Sequence, residues 1–192
     1  MSELGPIVFP PQLPLIIEKT RALGFNMACE DSVGALLRAL AASKKGGQFL
    51  ELGTGTGVGT TWLLDGTDQA SKLTTVDVSE EYQQAVREVF AGDVRLEIVT
   101  CDGAGFLQTQ SPGSFDLVFA DAMPGKFVHL DAALALVRRG GFYVVDDLLP
   151  QENWPADHPP KVRELIGKLS GLAEFRSVSL SWSSGVMILT RI

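Results

Sequence analysis

Cysteine is scarce in this chain: Cys29 and Cys101 stand far apart, with no paired spacing. That excludes a disulfide framework and a cysteine-built metal site, and it suits a reducing compartment. Histidine is equally scarce, and His129 and His158 do not form a ligand cluster. Basic residues are outnumbered, 16 against 23 acidic ones, for a formal net charge of −7. With no basic stripe to offset phosphate repulsion, a nucleic-acid or anionic-membrane surface is excluded, and a small neutral or cationic ligand is expected. No apolar run reaches the ~20 residues a membrane helix needs, and the N-terminus lacks a basic region followed by an apolar core. The expectation is a soluble cytoplasmic protein without nucleic-acid or membrane partners.

What is present is ordinary globular chemistry: 192 residues, 45% hydrophobic and 20% charged. A chain of this size buries roughly 70% of its unfolded surface and needs no structural staple. One domain over 1–192 is expected, with an N-terminal arm and helices over 1–46 and a core over 47–192. Pro6, Pro10, Pro11 and Pro14 predict an extended arm leading to a helix near 15–23. Val33, Leu36, Leu37, Leu40 and Ala41 fall at helical spacing within 30–43. Strand and helix then alternate, with strands expected at 48–52, 73–78, 94–100, 115–120 and 141–145. The helix after the fourth strand carries Phe127, Leu130, Leu134 and Val137 on one side. Beyond a proline-rich connection at 150–160 come a helix with Val162, Leu165, Ile166 and Leu169 inward, and two strand-like runs, 175–182 and 185–190, that a short turn forces to pair antiparallel. The pattern predicts an α/β fold, a Rossmann-like doubly wound seven-stranded sheet, mostly parallel, with an antiparallel C-terminal hairpin.

In such a sheet ligands bind beyond the carboxyl ends of the strands. Those ends carry Glu51 followed by Gly53, Gly55, Gly57 and Gly59, then Asp77, Asp102, Asp121, and the pair Asp146 and Asp147. The dinucleotide fingerprint G-x-G-x-x-G fails in both registers, because its third glycine would fall at Val58 or Thr60. No Gly-Lys-Ser/Thr follows, so a P-loop fails too. Glu51 would repel a pyrophosphate but not a cationic sulfonium amino acid. Asp77 can accept both hydroxyls of a ribose, and its bland alternative is a capping acid. Asp102 can accept from an adenine amino group beside the Gly103 backbone, or simply cap the following helix.

The segments E-L-G-T-G-T-G, V-D-V-S, C-D-G-A, F-D-L-V-F-A-D-A and R-R-G-G-F-Y-V-V-D-D resemble the class I S-adenosylmethionine-dependent methyltransferases, and more narrowly the catechol and caffeoyl-CoA O-methyltransferase group. The stretch N-M-A-C-E-D-S-V-G-A-L-L is similar to that group's cofactor-covering segment. The resemblance implies a cofactor lined by Cys29, Glu51, Gly53, Thr54, Gly55, Val58, Gly59, Asp77, Val78, Asp102, Gly103 and Asp121. Glu51 and the glycines would hold the methionine portion. It implies an enzyme moving a methyl group to a hydroxyl of a small, aromatic acceptor, and it admits a homodimer through the N-terminal helices.

The resemblance further implies a divalent metal, Mg2+, at Asp121, Asp146 and Asp147. Here an aspartate stands where the group has asparagine, so metal-dependent and metal-independent chemistry both stay open. The group's catalytic lysine follows the fourth strand as D-A-D-K or D-x-x-K; this chain reads D-A-M-P-G-K, so Lys126 comes two residues late. Lys126 could serve as the base with Asp121 beside it, or be an ordinary solvated lysine. Trp154 and Trp182 are candidate walls of the acceptor pocket. Two other readings remain: methyl transfer to nitrogen or another atom without metal, and a non-catalytic cofactor-binding protein.

Overall fold

The computed structural model describes residues 6–151 and 154–192. The first five residues of the expected arm and two residues of the 150–160 connection lie outside the described residues.

Leu13–Ala22 forms α1, with Pro14 in its first turn where a missing N–H costs nothing, and Asp31–Ala42 forms α2. The alternating part follows as β1 (Gln48–Leu52), α3 (Val58–Gly66), β2 (Lys72–Asp77), α4 (Glu80–Val89), β3 (Leu96–Thr100), α5 (Gly103–Thr109) and β4 (Phe115–Ala120). A single turn labelled α6 (Met123–Lys126) and the short α7 (Leu130–Leu136) lead to β5 (Val137–Val145), and α8 (His158–Ser170), β6 (Phe175–Leu180) and β7 (Val186–Arg191) complete the series. Among the described residues seven strands make one sheet in the order β3-β2-β1-β4-β5-β7-β6. β1 pairs parallel with β2 and β4, while β7 runs antiparallel to both β5 and β6. The expected doubly wound sheet with one reversed strand is the fold observed.

Strand parity divides the core. Leu50 and Leu52 face a cluster with Val118, Tyr143, Val145 and the Val162, Leu165 and Leu169 stripe of α8. Phe49, Leu117 and Phe119 face the other way, against Val33 and Leu37 of α2 and Leu63 and Leu64 of α3. Because successive side chains of a strand alternate faces, Glu51 shares the side of Phe49 and points under α3. Among the described residues no helix is long and apolar enough to cross a membrane.

Two local expectations are corrected. Val137 opens β5 rather than closing a helix: His129 takes a left-handed conformation before α7, and Val137, fully buried, pairs with Phe115. β3 begins at Leu96, because Asp93 folds back to accept from the Arg95 N–H and guanidinium, leaving Val94 73% exposed.

Candidate active site

The glycine loop leaves β1 between its two neighbours. Gly53, Gly55 and Gly57 have positive φ, 103°, 50° and 95°, a region that strains any side chain with a Cβ. What approaches these glycines is the protein itself. A Cβ on Gly53 would meet the Asp121 carbonyl at 2.8 Å, and one on Gly55 would meet the Phe25 ring at 2.9 Å. Phe25, on the segment between α1 and α2, also tilts against Tyr82 with ring centroids 4.8 Å apart.

Glu51 does not line the cleft. It is 1% exposed, beneath the start of α3, where it accepts from the Thr60 hydroxyl and from Thr75 Oγ1 at 2.6 Å. Gly59 has no side chain because a Cβ there would stand 2.4 Å from Glu51 Oε1. Glu51, expected to hold the methionine portion, is placed by strand parity on the α3 face of the sheet, bonded to Thr60 and Thr75. Burial, against the two hydroxyl bonds, pushes its pKa up to about 7. Thr54, expected to line the cofactor, is also turned under the loop, bonded to Thr75 Oγ1 at 2.7 Å and receiving Gln83 Nε2 at 3.0 Å. Gln83 donates further to the Val99 carbonyl at 3.0 Å and accepts from Thr100 at 2.6 Å. Sequence reasoning missed this buried polar layer of Thr60, Thr75 and Gln83; a run of polar residues at inward strand and helix positions is the only signal that pointed to it.

Above the layer, Asp77 sits at the end of β2 and accepts the Gly55 N–H at 2.8 Å and the Ser79 N–H at 2.9 Å, one on each oxygen. Each oxygen retains lone-pair capacity for a further donor. Val78 beside it is 71% exposed, an apolar surface at the strand ends. Asp102 caps α5 by accepting the Ala104 N–H at 3.3 Å, while Gly103 is buried against Pro124, whose Cβ a side chain there would meet at 3.0 Å. Val58, at the start of α3, is 3% exposed and packs with α1 rather than opening to the cleft.

The acids after β4 and β5 surround a lysine. Pro124 (φ −64°, ψ 134°) and Gly125 (φ 85°, ψ −25°) have the dihedrals of a type II turn, in which the second central residue must tolerate positive φ. The Tyr143 hydroxyl donates to the Gly125 carbonyl from near the C-terminal end of β5. This turn carries Lys126 inward: the residue is 4% exposed, with Nζ 3.9 Å from Asp147 Oδ2 and no hydrogen bond from the ammonium to any described residue. Burial pushes the Asp121 carboxyl well above the usual range, the Lys126 charge opposes the rise, and Asp146, Asp147 and Glu51 add to it. Asp146 is buried and takes the Ser184 hydroxyl and the Asp147 N–H on one oxygen; burial still raises it to about 6.

The three carboxylates do not fit a metal in this arrangement. Among the described residues no three His, Cys, Asp or Glu side chains come together so as to hold an ion. Asp146 is tied to Ser184, Asp147 has left-handed backbone (φ 56°) with its side chain 42% exposed, and the Lys126 ammonium lies among them. Asp121, Asp146 and Asp147, expected as metal ligands, are thus not gathered around one point among the described residues.

Two further groups complete the site. Phe127 meets His158 edge-on with centroids 5.0 Å apart, and Trp154 tilts against the same His158 at 4.6 Å, beside Lys126. Burial, and then the Lys126 charge, lower the His158 pKa. Trp182, the other candidate wall, is 46% exposed on the surface. From the opposite side, Ser183 in the β6–β7 turn donates to Glu30 and shares a 2.7 Å hydrogen bond with Ser32, clasping the N-terminus of α2. Cys29 lies just before that clasp; burial, and then the charges of Asp121, Asp146, Glu51 and Asp147, push its thiol pKa well up. A cavity of about 460 Å³ between Phe127, Leu130 and Lys168 lies outside this cluster and adds none of its acids.

The geometry meets known proteins at this point. A Mycolicibacterium vanbaalenii protein provisionally named an O-methyltransferase is 36% identical over 123 residues, 62% of this chain and 54% of that protein. A similarly named Mycobacterium leprae protein is 33% identical over 133 residues, 67% of this chain and 59% of its own length. The chain thus spans little more than half the length of the curated relatives it matches. Among solved structures, the O-methyltransferase TomG of Streptomyces achromogenes, involved in tomaymycin synthesis and solved with S-adenosylmethionine, has a TM-score of 0.82 at 22% identity, covering 96% of this chain and 91% of that one. The Bacillus cereus O-methyltransferase, solved with S-adenosylhomocysteine, has 0.81 at 20%, covering 97% and 93%. At these identities the likeness is one of fold. The profile of the family described as Methyltransferase domain matches residues 50–148, more than half of the 192, and the chain belongs to that family.

Proposed function

We propose that this chain transfers a methyl group from S-adenosylmethionine to a hydroxyl oxygen of a small aromatic acceptor. The observation that carries the reading is the buried Lys126 ammonium, held after β4, whose end at Asp121 meets Gly53 of the glycine loop, and next to Phe127 of the Phe127, His158 and Trp154 rings. Family membership and the O-methyltransferase names of the relatives support it. So do the cofactors bound in the structures of TomG and the Bacillus cereus enzyme.

In this reading Asp77, already fixed by the Gly55 and Ser79 N–H groups, accepts the two ribose hydroxyls with its remaining lone pairs. Val78 underlies the adenine, and Asp102 with Gly103 meets its edge. Asp121 faces the sulfonium side of the cleft, and the segment from Phe25 to Glu30 covers the cofactor. The acceptor ring lies against Trp154 and His158, where aromatic contacts favour a flat ligand. Its oxygen is directed at the methyl carbon in line with the sulfur, so that positioning lowers the barrier. No step is assigned to a divalent metal.

Calorimetry with S-adenosylhomocysteine tests the donor half: micromolar binding is expected, weakened at least tenfold in Asp77→Ala. Mass spectrometry of a phenol panel incubated with S-adenosylmethionine tests the acceptor half. Absence of cofactor binding, or methylation of amines with phenols inert, would overturn the reading.

A further inference from the structure

We propose that Lys126 is the resident cation of this site, standing where the family resemblance would put a divalent metal, and that its ammonium receives the acceptor oxygen as an anion. The second half of this rests on the methyl-transfer reading above; the first half does not.

The charge pattern is the first argument. Asp121, Asp146 and Asp147 gather after β4 and β5, and the one cation among them in the described residues is Lys126, 4% exposed with Nζ 3.9 Å from Asp147 Oδ2. A magnesium ion would need near-octahedral oxygen ligands at about 2.0–2.1 Å. Here Asp146 spends an oxygen on Ser184 and the Asp147 N–H, Asp147 turns partly to solvent, and no three acids converge among the described residues. An ion entering this space would also meet the ammonium, a like charge.

The second argument is what the ammonium lacks. An ammonium has three donors, each able to pair with an oxygen that reaches it. Among the described residues Lys126 Nζ makes no hydrogen bond, although the Pro124–Gly125 turn and the Tyr143 hydroxyl hold its backbone in place. A cation so fixed, beside the Phe127 and His158 rings, is complementary to an oxygen anion on an aromatic ligand.

The inference narrows the acceptor class. Without a two-point metal chelate, a vicinal diol has no advantage; a single phenol acidic enough to ionise on binding suffices. Its proton leaves to solvent as it binds. The phenolate oxygen pair then forms the O–C bond, the C–S pair passes to sulfur, and the sulfonium becomes a neutral thioether. The ammonium gives up no proton in this step.

The test is a Mn2+ titration of the full chain with saturating S-adenosylhomocysteine, read by electron paramagnetic resonance, on wild type, Lys126→Met and Lys126→Arg. Wild type and Lys126→Arg are expected to leave Mn2+ free at millimolar concentration, and Lys126→Met to bind it at least tenfold more tightly. Stoichiometric Mn2+ binding by wild type overturns the proposal even if Lys126→Met fails to fold, and so does a folded Lys126→Met that gains no Mn2+ affinity. In parallel, methylation of a nitrophenol in the presence of a chelator is expected to match its rate without chelator within twofold, and to exceed that of a catechol. A requirement for added metal in that assay overturns the proposal. If no hydroxyl acceptor reacts, the methyl-transfer reading and the oxyanion role fall together, whereas the Mn2+ result still decides whether Lys126 is the site's cation.

Discussion

The Tyr143 hydroxyl, fully buried near the C-terminal end of β5, donates to the carbonyl of Gly125 and so ties the turn that carries Lys126 to the sheet. Tyr143→Phe keeps the ring and removes that one donor. Leaving the carbonyl without it is expected to cost about 1–3 kcal/mol of stability. Methyl transfer should fall several-fold while affinity for S-adenosylhomocysteine holds, because the lysine and not the ribose site loosens. Urea unfolding, initial rates and calorimetry separate the three; an unchanged rate would mean the bond does not position Lys126.

Gly125 is the second support of that turn. Its φ of 85° is strained for any other residue, and a Cβ would stand 2.5 Å from Leu52 Cδ1. Gly125→Ala is expected to destabilise the protein by about 1–3 kcal/mol and to lower turnover more than Tyr143→Phe does. Denaturant midpoints of the two variants, compared with their rates, check the ranking.

Glu51 gives the protein a pH signature. Its carboxyl is raised from 4.5 to about 7 in the folded state, so between these values the folded chain holds more proton than the unfolded one. The stability this provides is present below pH 4.5 and is lost as pH rises through 7. A shift of this size corresponds to roughly 2–5 kcal/mol. Glu51→Gln removes the titration, so the stability difference between variant and wild type should change in the variant's favour between pH 4.5 and 7.5. Urea unfolding of both proteins across that range measures it; parallel pH curves would show that Glu51 titrates normally.

Ser183 joins two distant parts of the chain through Glu30 and Ser32. Its φ of 57° suits glycine, so Ser183→Gly removes the hydroxyl without backbone strain. Global stability should change by less than about 1 kcal/mol, while S-adenosylhomocysteine dissociates several-fold faster. Hydrogen exchange should quicken at 25–30 and not in the sheet. Stopped-flow release with exchange mapping tests this, and protection unchanged at 25–30 would reject the clasp.

The alternation of short apolar runs with helical stripes made the sheet legible, since buried parallel strands read as continuous apolar segments and the final close-spaced pair had to be antiparallel. The strand-end acids were legible for the same reason: the fold dictates where a ligand binds. What could not be read was direction. Glu51 looks like a cleft residue by position, but strand parity sends it under α3, and only the partner hydroxyls of Thr60 and Thr75 make that burial tolerable. Lys126 looks misplaced by two residues in the sequence, and the Pro124–Gly125 turn brings it inside; that turn is held by Tyr143, 18 residues beyond Gly125. The Ser184 bond to Asp146 likewise spans 38 residues and left no local pattern.

The clasp between Glu30 and Ser183 spans 153 positions of the chain. A bond of that span cannot form until its later partner has been synthesised, whereas the parallel strands from β1 to β5 pair among residues 48–145 and can fold earlier. During translation the cleft therefore stands open above the five parallel strands, before β6 and β7 complete the sheet. A nascent chain at that stage would exchange its ligand freely, and tight retention would arrive only with the C-terminal hairpin.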